Sequence, residues 1–429
     1  MRILVDPSLE EAREAMLRPS GSDQDQESKI KTDVLNILEE VKTKGDQALL
    51  DLTTRFDGIE LDDIRVAPQT LDDAESLVDE DLKKAIRIAK DNIAAFHDSQ
   101  REEIRRIETM PGVFCWRESR PIEKVGLYIP GGTAPLISTV LMLGVPAQLA
   151  GCETIILCSP PDKTGEIHPA ILYAASLCGI DQIYKVGGAQ AIGAMTYGTE
   201  TVPAVHKIFG PGNQYVTAAK MAVQSRGMAI DMPAGPSEVL VWADDYARPD
   251  FVAADLLAQA EHGADSQAIL VCESEQFAEN VKEEVMVQKA KLEREEIVDK
   301  SLKYSLFIVC DKSKPLDVIN DYAPEHLIIQ REDHSYDLAK IKNAGSVFVG
   351  PFTPESAGDY ASGTNHTLPT NGYAKMYSGV SLDSFVKKIT FQEIDVKGLQ
   401  ALDFAVSTLA SAEGLDGHRE AVKVRLRSL

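Results

Sequence analysis

From Val125 onward the chain alternates short β-rich runs with helical stretches, and this alternation limits the fold more than any other feature. Strand–helix repeats of this kind bury both elements as a parallel sheet with helices on its two faces. The first series predicts strands at 126–129, 154–158, 182–186 and 207–209, with helices near 135–149, 166–177, 189–197 and 214–225. A second series begins after Pro236, with strands at 238–243, 267–272, 306–310, 327–329 and 346–349. Its helices fall near 249–262, 275–294, 315–322 and 335–342. Two series imply two α/β domains, 121–236 and 237–376. Residues 1–120 read as mainly helical: Val34, Ile37, Leu38 and Val41 recur at helical spacing, and 72–106 is long, charged and rich in helix formers. The polar stretch 21–28 reads as a mobile loop, and residues 377–429 break the pattern and read as a separate tail.

Composition narrows the partners. The 67 acidic and 44 basic residues give a formal net charge of −23, which disfavours nucleic acid and anionic membrane surfaces. No apolar run approaches the ~18 residues of a membrane span. The opening MRILVDPSLEEAREAM has no basic region leading into an apolar one, so no secretory signal is read and the cytoplasm is expected. Six cysteines (Cys115, Cys152, Cys158, Cys178, Cys272, Cys310) are scattered without a CxxC pair. They read as reduced core residues, with a lone catalytic thiol as the alternative.

Ligands of open parallel sheets bind beyond the C-terminal strand ends. In the first series those ends carry Pro130-Gly131-Gly132, Gly187-Gly188-Ala189-Gln190 and Gly210-Pro211-Gly212-Asn213. Each is a glycine-rich turn opening a helix, where backbone N–H groups can receive phosphate. No GxGxxG fingerprint is present, so a standard dinucleotide fold does not follow from the motifs. Taken singly, each reads first as a tight turn; three at one edge favour binding.

The second series points to its opposite edge. Ser237 and Glu325-His326 stand just before strands, and Gln259 and His262 close a helix that returns to that edge, with Gly263 as its stop. Gln259 and His262, spaced i,i+3, share a helix face and suit two ligands of one metal, although QxxH alone reads first as structural. The polar stretch PFTPESAGDYASGTNHTLPT, 351–370, lacks a clear strand or helix and offers Asp359 and His366. Further on, Glu413 and His418 lie five apart, with two glycines able to turn them together.

These segments closely resemble the histidinol dehydrogenases from about Ile30 onward. The resemblance is carried by VGLYIPGG at 125–132, VGGAQAIGA at 186–194, IFGPGNQYVTAAK at 208–220 and IDMPAGPSEV at 230–239. It continues in DLLAQAEHGADSQ at 255–267, YAPEHL at 322–327 and NAGSVFVGPFTPESAGDYASGTNHTLPT at 343–370. What the resemblance implies is an α/β enzyme with two Rossmann-like parallel-sheet domains, a helical N-terminal region and a C-terminal tail used in dimerisation. The 121–236 domain would bind NAD and the 237–376 domain zinc and substrate, while 377–429 reaches the partner subunit. The implied reaction is oxidation of L-histidinol to L-histidine by way of the aldehyde, with two NAD, as the last step of histidine biosynthesis. One zinc per subunit would be held by Gln259, His262, Asp359 and, from the partner's tail, His418, and would orient the substrate's amine and imidazole. Glu325 and His326 carry over as the acid–base pair. Ser237, His366 and Glu413 carry over as substrate contacts beside the zinc ligands and His326, and Tyr128, Gln190 and Asn213 as NAD contacts. A zinc hydrolase would use the same ligands but leave the three glycine-rich turns without a purpose. A binding module would leave Glu325-His326 unexplained, and a thiol mechanism would need an essential cysteine.

Overall fold

The computed structural model describes residues 1–18, 24–131, 135–233, 235–333 and 335–429. Two parallel sheets form its centre. The first has the strand order Gln182–Lys185, Thr154–Ser159, Lys124–Tyr128, Lys207–Phe209, Ala229–Ile230. The second runs Arg2–Val5, Leu306–Val309, Gln267–Cys272, Glu238–Ala243, His326–Gln330, Ser346–Val349. Every neighbouring pair in both is parallel. In the second sheet the four inner strands are buried along their whole length, as strands covered on both faces must be.

Alternate residues of each strand enter different cores. Val239 and Val241 face the helices Pro249–Ala260 and Glu275–Lys289, whereas Leu240 and Trp242 pack with Ala12, Val318 and Ile319 from Leu9–Ala15 and Pro315–Tyr322. In the first sheet Val125 and Leu127 join Ile137–Ala150 and Pro169–Leu177, with Ile86 and Ile93 of Glu80–Asp98 behind them. Tyr128, Ile156 and Cys158 face Gly188–Tyr197 and Gln214–Gln224, and are covered by Gln24–Lys44 and Asp46–Asp57. The helices between Gln24 and Asp98 thus complete the first sheet's layers, while Leu9–Ala15 serves the second.

Three sequence-based expectations are refined. Residues 1–120 are mainly helical, but Arg2–Val5 joins the second sheet, and Ile107–Met110 with the start of Val113–Pro121 opens a separate antiparallel sheet. Those strands are short or half-exposed, so their pairing is set by distant partners rather than by a local pattern. Val113–Pro121 also pairs with Val386–Ile394, tying the chain's last section back to its first third. Within 21–28, residues 21–23 lie outside the described residues and Gln24 already begins a helix. Finally, 351–370 contains the short helix Glu355–Tyr360, started by Pro354.

Candidate active site

Four elements converge at the N-terminal edge of the second sheet. His326 opens its strand, level with Val239 on one neighbour and Ser346 on the other. Before it, Ala323 adopts φ +54, the left-handed conformation that ends Pro315–Tyr322 and turns the chain into Pro324 and Glu325. A non-glycine residue held there stores local strain beside the site. Glu325 accepts the backbone N–H of Glu238 at 3.0 Å, which places its carboxylate next to Ser237. Gln259 lies in the last turn of Pro249–Ala260, and His262 just beyond it, where its N–H donates to the Gln259 carbonyl at 3.2 Å. The helix therefore stops two residues before His262 rather than at Gly263. The fourth element, Glu355–Tyr360, supplies Glu355 and Asp359 one turn apart.

His326 is the hub. Its Nδ1 lies 3.2 Å from Gln259 Oε1, 3.7 Å from a Glu355 oxygen and 3.8 Å from a Glu325 oxygen, while Nε2 is 3.5 Å from Asp359 Oδ1. Burial alone would lower the His326 pKa, but Glu355, Glu325 and Asp359 outweigh it and hold it at about 10. Burial pushes Glu325 and Glu355 up to about 8 against the pull of His326. Asp359 also feels burial, yet the close approach and charge of His326 keep the carboxyl below the ordinary range.

Three acids surround the His326 imidazole, and several polar atoms here have no hydrogen-bond partner. Both Glu355 oxygens, Asp359 Oδ1, His326 Nε2 and Gln259 Nε2 are buried without one. Orphaned buried acceptors are costly unless a donor or a cation meets them. Ligand atoms of His262, Glu355 and Asp359 all lie within 4.8 Å of one another, a nitrogen–oxygen donor set that suits a divalent ion such as zinc. Glu355 was not singled out from the sequence. Its signal is the spacing to Asp359, Glu-x-x-x-Asp after a proline, which becomes visible once a helix is assigned there.

His366 joins this cluster to the first sheet. Its Nδ1 is 2.9 Å from the Asp359 carbonyl oxygen, and its Nε2 is 3.1 Å from the hydroxyl of Thr139, near the start of Ile137–Ala150. Next to it, Asn365 donates to the Met142 carbonyl at 2.6 Å. The C-terminal edge of the first sheet bears the remaining candidates. Tyr128 ends its strand and its hydroxyl receives the Gly188 N–H at 3.1 Å; burial pushes that phenol up to about 12. Gln190 is buried in the first turn of Gly188–Tyr197. Asn213 caps Gln214–Gln224, its Oδ1 accepting N–H groups of Tyr215 at 3.0 Å and Val216 at 3.2 Å. Gly132 of the remaining glycine turn lies outside the described residues.

Two candidates stand apart. Glu413 ends the helix Val396–Ala412 and His418 lies on the exposed helix Asp416–Leu426. Among the described residues neither makes a hydrogen bond or ion pair with the cluster around His326. The cysteines are free; burial pushes the thiols of Cys158, Cys178 and Cys272 up to about 12 and those of Cys152 and Cys310 up to about 11. Such thiols are poor nucleophiles near neutral pH.

Comparison with known proteins identifies the family. Residues 21–426 match the family model described as histidinol dehydrogenase. The chain is 56% identical to histidinol dehydrogenase of Bacteroides thetaiotaomicron, with 100% of both chains covered. It superposes with a TM-score of 0.97 on the crystal structure of histidinol dehydrogenase from Elizabethkingia anophelis, at 55% identity, covering 100% of this chain and 98% of that one. An acetylating aldehyde dehydrogenase from Geobacillus thermoglucosidasius shares the fold at a TM-score of 0.50 and 16% identity, covering 87% of this chain and 99% of the other. The chain belongs to the histidinol dehydrogenase family of NAD-dependent oxidoreductases.

Proposed function

We propose that the chain oxidises L-histidinol to L-histidine through the aldehyde, consuming two NAD, as the last step of histidine biosynthesis. The observation that carries this reading is the hub at His326. A base candidate, a neighbouring carboxylate and a metal-type donor set meet beside the glycine-rich edge of a second sheet. His326 takes the alcohol proton as hydride passes to NAD, and Glu325 deprotonates the water that adds to the aldehyde carbon. Both must first lose the protons that the cluster by itself keeps on them, which a divalent cation beside Glu355 and Asp359 would favour by offsetting their negative charge. Gln259, His262 and Asp359 would hold zinc, whose chemistry when bound is to fix the substrate's amine and imidazole. Ser237 and His366 border the substrate, and Tyr128, Gln190 and Asn213 line the NAD edge. In domain terms, 121–236 carries NAD and 237–376 carries zinc and substrate.

His418 and Glu413 are proposed to complete the site of a partner subunit in a homodimer. Their helices expose Phe404 (81%), Leu409 (63%) and Val424 (54%), more apolar surface than a solvated arm requires. The enzyme is proposed to work in the cytoplasm, a setting that suits six free cysteines; no helix among the described residues is long and apolar enough to cross a membrane. The test is the stoichiometry of NADH formed per histidinol consumed, with and without a chelator. Two NADH per histidinol, lost on chelation and restored by zinc, is the expected result. One NADH with free aldehyde accumulating would overturn it.

A further inference from the structure

Behind the turn that follows Lys207–Phe209 lies a buried ion pair that the reaction above does not use. Lys220 Nζ is 2.5 Å from Asp231 Oδ1, and the two side chains are only 4% and 1% exposed. Such a pair in the interior is weak evidence for stability, because apolar side chains of similar volume commonly serve as well. Its placement points elsewhere. The Gly210 N–H donates to Asp231 Oδ2 at 2.8 Å, and the Gly210 carbonyl accepts from Lys220 Nζ at 2.8 Å. Both backbone polar groups of one glycine are therefore held by the two halves of one ion pair.

Gly210 has φ +129, and a Cβ there would stand 2.1 Å from the Tyr128 carbonyl oxygen. The turn is thus pressed against the strand end that carries Tyr128; of its next residues Pro211 and Gly212 are half-buried and Asn213 is exposed. Asp231 is itself fixed, its N–H donating to the Ile208 carbonyl at 3.0 Å and its Oδ1 receiving the Met232 N–H at 2.7 Å. Lys220 comes from the helix that Asn213 caps, so the pair ties that helix, the turn and the strand end together.

We propose that Lys220 and Asp231 are positioning residues for the dinucleotide: they fix the Gly210–Asn213 turn in its binding position before the cofactor arrives. This rests on the reading of that turn as an NAD contact. Preset backbone groups bind without an ordering cost, and displacement by about 1 Å is enough to lose on the order of 10²-fold in an oriented reaction. The pair touches no atom of the cluster around His326, so its loss should act on NAD and spare the metal and histidinol.

The experiment compares wild type with Lys220→Met and with the neutral double variant Lys220→Met/Asp231→Asn, which leaves no unpaired charge. NAD affinity is measured by calorimetric titration, zinc content by metal analysis, and KM for each substrate and kcat by steady-state assay. Expected is a rise of about tenfold or more in the NAD dissociation constant and in KM for NAD. Zinc content and KM for histidinol should stay within about twofold of wild type. A folded double variant with wild-type NAD affinity would overturn the assignment. Equal losses in zinc, histidinol and NAD binding, or failure of both variants to fold, would also overturn it, since the pair then serves the fold. If Asn213→Ala binds NAD as wild type does while the double variant is impaired, the contact assigned to Asn213 fails and the positioning role stands.

Discussion

Gln259 Oε1 and His326 Nδ1 lie 3.2 Å apart, so the last turn of a helix and the first residue of a strand share one contact inside the candidate site. A ligand candidate and a base candidate thereby orient each other, and substitutions on either should be read for metal and proton transfer separately.

His262→Asn is expected to remove tight zinc binding and turnover together. Even partners one layer behind a metal ligand are worth about 10–100-fold in affinity, and a lost ligand costs at least that. Metal analysis after dialysis, alongside the NADH assay, is the check. Full zinc content with full activity would contradict the assignment.

Glu325→Gln and His326→Asn should differ in kind. His326→Asn should slow both oxidations by about 10²–10⁴-fold, and Glu325→Gln chiefly the oxidation of supplied histidinal, with zinc retained in the latter. Single-turnover assays from alcohol and from aldehyde separate the two. Equal slowing of both steps by Glu325→Gln would mean that the pair acts as one unit.

Replacing all six cysteines by alanine should leave both oxidation steps intact in folded protein. Cys158, Cys178 and Cys272 are buried side chains, so each replacement should lower stability by about 1 kcal/mol. A folded cysteine-free enzyme that halts at the aldehyde would be the contrary result.

Asp255 is buried 5% exposed behind the site and accepts from Gln330 Nε2 at 2.6 Å. Burial pushes its pKa up to about 7, against a lowering by Gln330. The folded state thus keeps a proton that the unfolded chain releases above the ordinary value of 3.8, and stability falls as pH rises from there to about 7. Asp255→Asn should flatten that slope and raise stability at pH 8 by on the order of 1–4 kcal/mol, as followed by urea unfolding across pH. An unchanged slope would remove Asp255 as its source.

The nine strands read from the two alternating series all appear, since each is a local apolar run between turn residues. The meeting of Ser237, Gln259, His262, Glu325 and His326 at one edge was legible for the same reason, since helix and strand order fix which ends come together; Asp359, in a stretch without a clear pattern, was joined to them only by the family resemblance. Glu355 was not, because its helix has only six residues and too little periodicity to register. Nor was the pairing of Val386–Ile394 with Val113–Pro121, whose partners lie far apart in sequence and half in solvent.

The strand Arg2–Val5 has a consequence in time. Its partner, Leu306–Val309, leaves the ribosome about 300 residues later, a delay of about 15–60 s at ordinary elongation rates. Throughout that interval the strand's edge has nothing to pair, and of the nearby arginines Arg18 waits 220 residues for Glu238 and Arg13 waits 308 for Asp321. The second sheet is therefore completed only late in synthesis or after it, with the first-made strand docking against later ones. A bulky fusion ahead of Arg2 would burden that closing step even where it leaves every residue around His326 untouched.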